Sequence, residues 1–351
     1  MKKLHSFLII IPYVIFCTAQ CSSASIEDDK KTPNGNSNKI TGVSFVSPPN
    51  NFEDSLMLLP RTKVGANWVC FMPFGFIRKS SNQVEFNQEW QWWGEKKEGV
   101  VEMIARAKKQ KYKLMLKPQI WIGHGAFTGH HKYESEDDWG KFESSYSAFI
   151  MPFAKIADSL NIEIFCIGTE FEQFVLNRPK YWKKLIDEIR TIYRGQITYA
   201  SNWDEFNKVP FWKDLDYIGI DGYFPIVKSE SPNADELKNG WSEHKNKLKR
   251  FSDSIKSSIL FTEYGYRSRN YLADKPWKSD RGGVINLKLQ SRAYEVFYKE
   301  IWHEDYIAGG FIWKWFPNYY DVGGLDHTGF TPQRKPVEKI IKNYYKSNSS
   351  N

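Results

Sequence analysis

From residue 39 onward the chain repeats one alternation, an apolar run of strand length followed by a stretch of helical period. The apolar runs are Ile40–Pro48, Val64–Phe74, Tyr112–Ile122, Asn161–Glu170, Gln196–Trp203, Asp216–Tyr223, Ser258–Tyr264 and Ile307–Phe316. Most are nearly continuous in Val, Ile, Leu, Phe and Tyr, the pattern of strands covered on both faces. Helical periodicity fills Lys97–Gln110, Asp138–Leu160, Tyr181–Tyr193, Ala234–Ile255 and Asn286–Trp302. Strands alternating with helices argue for an α/β fold with a parallel sheet. No Gly-rich phosphate turn follows the first run, which weighs against an open doubly wound sheet. Eight units therefore point to a (β/α)8 TIM barrel in a single domain over residues 39–345.

A barrel of this kind gathers its functional groups at the C-terminal ends of its strands. Those ends read Lys117-Pro118-Gln119-Ile120-Trp121, Gly168-Thr169-Glu170, Ser201-Asn202-Trp203, Asp221-Gly222-Tyr223, Thr262-Glu263-Tyr264 and Trp313-Lys314-Trp315. By strand alternation Ile164, Cys166, Gly168 and Glu170 share a face, as do Ile259, Phe261 and Glu263, so each Glu continues an apolar row that points into the barrel. A carboxylate there is costly unless it is paired or functional. A single strand-end Glu is as readily a helix cap or a partner for lysine. Two of them, on the fourth and seventh strands of one mouth, suit acid/base and nucleophile chemistry on a glycosidic bond.

The neighbours fit that chemistry. Tyr223 is placed to orient Glu263, or else is a core tyrosine whose hydroxyl reaches solvent. Asn202 and Asp221 are candidate sugar-hydroxyl partners, with a turn or helix cap as the other reading of Asp221. Lys117 and Gln119 share a face and reach the same mouth. The chain has 14 Trp, and Trp121, Trp203, Trp313 and Trp315 sit at or near strand ends, where indole rings suit the apolar face of a pyranose. Trp313 and Trp315 fall on one face by alternation. Trp90, Trp92 and Trp93 lie in the loop after the second strand and either extend a glycan cleft or anchor that loop.

Other features are not catalytic. His124, His130 and His131 match no familiar zinc spacing and read as polar contacts to sugar hydroxyls, so no metal and no cofactor is expected. Cys70 and Cys166 read as small buried hydrophobes. The net charge of +8 is spread along the chain, whereas nucleic-acid recognition needs a clustered basic face. Residues 1–20 read as an export signal, with Lys2 and Lys3 before the apolar run Phe7–Phe16. Cys21 follows directly and is read as a lipidation site, with ordinary cleavage and secretion as the alternative. Residues 21–38 form a polar tether and 346–351 a polar tail. The expected location is outside the cytoplasm, membrane-anchored through Cys21 at the periplasmic or cell surface.

The ordered motifs ITGVSFVSP, LMLKPQIWIGHGAF, FCIGTEFE, YIGIDGYFP, LFTEYGYRS and GGFIWKWFP resemble glycoside hydrolase family 113 over residues 39–345. That family comprises (β/α)8-barrel, retaining endo-β-1,4-mannanases, in a clan with catalytic Glu on strands 4 and 7. The resemblance implies Glu170 as acid/base, Glu263 as nucleophile, and Trp313 or Trp315 as the floor of the subsite beside the scissile bond. The residue before the acid/base is commonly Asn in the clan, where it contacts the sugar 2-hydroxyl; here it is Thr169. The implied substrate is β-1,4-mannan or its oligosaccharides. Hydrolysis of another β-1,4-glycan (glucan or xylan) and non-catalytic glycan binding remain the alternatives.

Overall fold

The computed structural model describes Met1 and residues 39–79, 81–123, 126–278 and 282–347. The export signal, Cys21, the tether, His124 and the end of the tail lie outside the described residues. Ten strands occur among them: β1 (Ile40–Phe45), β2 (Trp68–Phe71), β3 (Phe74–Ile77), β4 (Lys113–Leu116), β5 (Gln119–Ile122), β6 (Ile164–Thr169), β7 (Gln196–Asn202), β8 (Ile218–Asp221), β9 (Ile259–Tyr264) and β10 (Ile307–Trp315). Eight close into a parallel barrel in the order β1-β2-β4-β6-β7-β8-β9-β10, and β10 pairs back onto β1. This is the single-domain (β/α)8 barrel expected from the alternation.

The expected second and third strands each split in two. Proline has no N–H to give to a ladder, and the splits fall at Met72-Pro73 and Lys117-Pro118, between β2 and β3 and between β4 and β5. Beyond these breaks β3 and β5 leave the barrel and pair with each other as a separate two-stranded parallel sheet. At the start of the second run, Val64 instead ends helix α1 (Leu59–Val64), which Gly65 closes at φ 74, a left-handed position that glycine takes without a Cβ clash.

Of the other helices, α2 (Lys97–Lys109), α3 (Glu136–Ser159), α5 (Pro179–Ile192) and α6 (Ala234–Ile255) follow the expected spans closely, α7 (Leu287–Phe297) stops short of the expected Trp302, α4 (Glu172–Asn177) is a short additional helix, and α8 (Val337–Ser347) is the last. Their starts have local causes. Ser135 accepts from the Asp138 amide at the head of α3, and Asn233 and Glu236 form a reciprocal capping box on α6. On α5, Trp182, Leu185, Ile186 and Ile189 are buried at helical spacing. Each such apolar side chain contributes roughly 1.5–3 kcal/mol. Among the described residues no helix is long and apolar enough to cross a membrane.

Two apolar layers result. Ile40, Trp68, Cys70, Met115, Ile164, Cys166, Leu260 and Phe311 fill the barrel lumen. The opposite strand faces, with Phe165, Ile167, Tyr199, Ile259 and Phe261, pack against the helices. Strict alternation fails where it matters most. Ile259 and Phe261 face outward, contrary to the expected inward row. The β8–β9 register then advances from Ile220↔Phe261 to Asp221↔Glu263, and this extra residue turns Glu263 inward. On β6 the register runs from Cys166↔Thr198 to Thr169↔Ala200, and the position of a Cβ on Gly168 lies against Trp182, Tyr146 and Tyr199 of the outer layer. On β10, Val43↔Ile312 is followed by Phe45↔Trp315, so Trp313 joins the lumen while Trp315 joins the outer core. The expectation that the two Trp share a face is thus corrected; the Trp313–Lys314 peptide, which is cis, lies within that shift. Bulges of this sort re-aim side chains at barrel rims.

At Gly168 a Cβ would come within 2.7 Å of the Trp182 ring and 3.1 Å of the Tyr146 hydroxyl. Gly168→Ala is therefore expected to destabilise the protein by about 1–3 kcal/mol, read as a lower urea midpoint with an unchanged denaturant slope.

Candidate active site

At the barrel mouth Glu263 is held by three donors, two from the β4–β5 junction and one from the end of β8. Lys117 Nζ donates to its Oε1 at 2.6 Å, Gln119 Nε2 to the same oxygen at 3.0 Å, and the Tyr223 hydroxyl to Oε2 at 2.7 Å. The sequence-based placement of Tyr223 against Glu263 thus corresponds to a direct hydrogen bond. Lys117 is fully buried and also donates to both oxygens of Asp221, at 3.0 and 3.3 Å. Asp221 accepts a further bond from Thr262 Oγ1 at 2.7 Å. Asp221 is therefore neither a turn cap nor an open sugar ligand; it is the buried counter-charge of Lys117.

The electrostatics separate the two glutamates. Burial opposes charge on Lys117, but the carboxylates of Asp221 and Glu263 outweigh it and hold the ammonium above its ordinary range. Burial first, then Glu263, pushes Asp221 up to about 7, against the pull of Lys117 and Thr262. Glu170 makes no ion pair among the described residues. Burial, followed by the negative charges of Asp221 and Glu263, raises its carboxyl well above the usual value. A raised carboxyl close to a carboxylate held by three donors is the asymmetry that general-acid and nucleophile roles require. Glu170 also sits at φ 51, a left-handed backbone that costs a non-glycine residue about 1 kcal/mol. Its amide is fixed on the Ala200 carbonyl at 2.8 Å.

The remaining expected site residues divide. The Asn202 side chain accepts from the Trp203 amide at 3.0 Å, and Asn202 lies in register with Asp221 at the rim. Thr169 Oγ1 is buried without a hydrogen-bond partner among the described residues. Trp121 is 52% exposed, whereas Trp315 is fully buried and stacks on Tyr319 with centroids 5.7 Å apart. Trp315 is therefore core, and Trp313 is the member of the pair that packs, half-buried, on the lumen cluster. Trp203 stacks on Trp277 at 5.4 Å, a surface ring that no strand pattern marks. Trp93 anchors its loop against Phe52 and Arg106, while Trp90 and Trp92 are exposed. His131 shares a 2.8 Å hydrogen bond with the Tyr133 hydroxyl. Among the described residues no group of His, Cys, Asp and Glu side chains is arranged to hold a metal. Cys70 and Cys166 are buried, free thiols.

A second acidic group escaped the sequence reading. Glu205 is 7% exposed and hydrogen-bonded to Glu172; Glu172 also pairs with Lys208. Burial, then the charges of Glu172 and Asp204, push Glu205 up to about 8. Glu205 follows β7, the fifth strand of the barrel, in a short turn, with no apolar periodicity to flag it. Its charge bears on Glu170 in the same upward direction.

The profile of Glycoside Hydrolase Family 113 matches residues 49–331. A structure described as a GH113 β-1,4-mannanase complex is similar at 25% identity and TM-score 0.78, over 88% of this chain and 99% of that one. The GH113 β-mannanase AaManA from Alicyclobacillus acidocaldarius is similar at 21% identity and TM-score 0.78, over 88% and 98% of the two chains. A Ruminococcus gnavus β-glucuronidase shares the fold alone, at 12% identity and TM-score 0.59, over 88% of this chain and 50% of that one. No protein of curated function matches the chain in sequence.

Glu205 binds its proton more tightly folded than unfolded. Its contribution to stability is therefore full below the unfolded carboxyl range and is lost as pH rises through about 8. Glu205→Gln mimics the protonated form and should flatten this loss. Urea titrations at a pH near 5.5 and a pH near 7.5 should show the variant losing about 2–3 kcal/mol less than the wild type between them.

Proposed function

The chain belongs to glycoside hydrolase family 113, and from that premise we propose that it cleaves β-1,4-mannan and manno-oligosaccharides by double displacement. The observation that carries this reading is the unequal setting of the two glutamates. Glu263, steered by the donors Lys117, Gln119 and Tyr223, is the nucleophile. Glu170, kept protonated by its surroundings, is the acid/base.

In the first step a Glu263 oxygen bonds to the anomeric carbon as the bond to the departing sugar breaks. Glu170 gives its proton to the departing oxygen. In the second step the Glu170 carboxylate takes a proton from water, and that water oxygen displaces Glu263 from the same carbon. Two inversions restore the starting configuration. The Lys117 ammonium holds Oε1 and the Tyr223 hydroxyl aims Oε2. Trp313 is the ring available to the sugar beside the scissile bond. The choice of mannan over other β-1,4-glycans is supported by the β-1,4-mannanase descriptions of similar family 113 structures at 25% identity.

The test is hydrolysis of mannohexaose, cellohexaose and xylohexaose by the wild type, Glu170→Ala and Glu263→Ala. The wild type should cleave mannohexaose fastest. Glu170→Ala should lose about 10²–10⁴-fold on it, with an aryl β-mannoside carrying a good leaving group less affected and azide restoring turnover. Glu263→Ala should be inactive on both. A wild type that cleaves none of the three, or a glutamate variant with full activity, defeats the proposal.

A further inference from the structure

The two-stranded sheet formed by β3 and β5 lies outside the barrel, and its faces are unequal. One face carries Gly75, Ile77, Ile120 and Ile122, all buried, with the position of a Cβ on Gly75 lying within 3.0 Å of Val84, Ile120 and Phe149. The other face carries Phe74, Phe76, Gln119 and Trp121. Register places Phe74 beside Gln119 and Phe76 beside Trp121. Gln119 is the residue that donates to Glu263. Trp121, two residues further along the same strand, stands about 6–7 Å outward from it.

This face is apolar, exposed and held in place. Trp121 is 52% and Trp90 54% exposed. The Trp90 ring meets Phe76 edge-on, with centroids 4.9 Å apart. The next residue, Gln91, is buried; its Nε2 donates to the Phe74 carbonyl and its Oε1 accepts from the Gln88 amide, each at 2.8 Å. The loop bearing Trp90 is thereby tied to the sheet. Rings fixed in the open do not stabilise the fold by burial, and an aromatic surface continuous with a polar site suits a ligand with alternating apolar and hydroxyl faces.

Resting on the reading of the mouth as a glycosidase site, we propose that Phe76, Trp90 and Trp121 form a distal sugar subsite. It takes pyranose units of the β-1,4-linked chain that lie beyond those at the two glutamates. The occupant is the same polysaccharide chain, since the aromatic face begins at the residue touching Glu263. Such a subsite contributes binding to long chains and nothing to short ones.

The experiment measures kcat/KM for manno-oligosaccharides of three to six units, with the matching cello- and xylo-oligosaccharides in parallel. The enzymes are the wild type, Trp121→Ala and Trp121→Phe. For the wild type kcat/KM should climb with length, with a step of about tenfold once the chain reaches Trp121. Trp121→Ala should lose that step through KM, keep its rate on the shortest cleaved substrate, and regain most of the step in Trp121→Phe. An unaltered length dependence in Trp121→Ala overturns the subsite, and so does an equal loss at every length. Cleavage confined to the cello or xylo series would overturn the mannan reading instead, and the subsite would then be judged on the length dependence in that series.

Discussion

A single ammonium group, that of Lys117, sits with no solvent exposure between Asp221 and Glu263. Its burial demands nearby carboxylates, and theirs demands a cation; removing one member of such a set leaves an uncompensated charge and costs about 3–5 kcal/mol. The three groups come from the ends of β4, β8 and β9, so the network joins distant walls of the barrel at the mouth. It also sets the chemistry. Burial first, and then the charges of Asp221 and Glu263, which the one cation Lys117 offsets only in part, raise the Glu170 carboxyl well above its usual range.

Geometry at the strand ends makes that network possible. Regular strands would send Glu263 outward behind Phe261, into the layer where Phe261 packs on Phe297. The added residue before Glu263 on β9, and its counterparts on β6 and β10, reverse the facing of the last side chains. The lower parts of the same strands remain ordinary, alternating between lumen and helix layer. Catalytic placement is thus separated from core packing along each strand, which lets one barrel be both filled and reactive.

The sequence already carried the architecture and the pair of glutamates, because buried parallel strands leave long apolar runs and carboxylates at their ends stand out. The same periodicity assigned the wrong facing to Ile259, Phe261 and Trp315, since a bulge leaves no compositional mark. Pro73 and Pro118 were visible signs that two strands would break, yet the apolar runs continue across them. Asp221 was legible as a site residue, but its role depends on Lys117 arriving from a strand more than a hundred positions away. Glu205 and Trp277 were not legible at all. The first lies in a turn and the second in a loop, and only tertiary proximity gives either one meaning. The Trp residues that looked alike by position separate in space: Trp315 belongs to the core, whereas Trp121 and Trp277 face solvent.

In the proposed chemistry a Glu263 oxygen, with Lys117 donating to the same carboxylate, forms the covalent bond to the sugar. The most direct measurement is peptide mass spectrometry after inactivation with a 2-deoxy-2-fluoro-β-mannosyl fluoride, which forms the glycosyl-enzyme and slows its release. The predicted result is one 2-fluoromannosyl adduct, located on the peptide containing Glu263 and on that side chain. An adduct on Glu170 or Asp221, or turnover with inversion and no adduct at all, would contradict it.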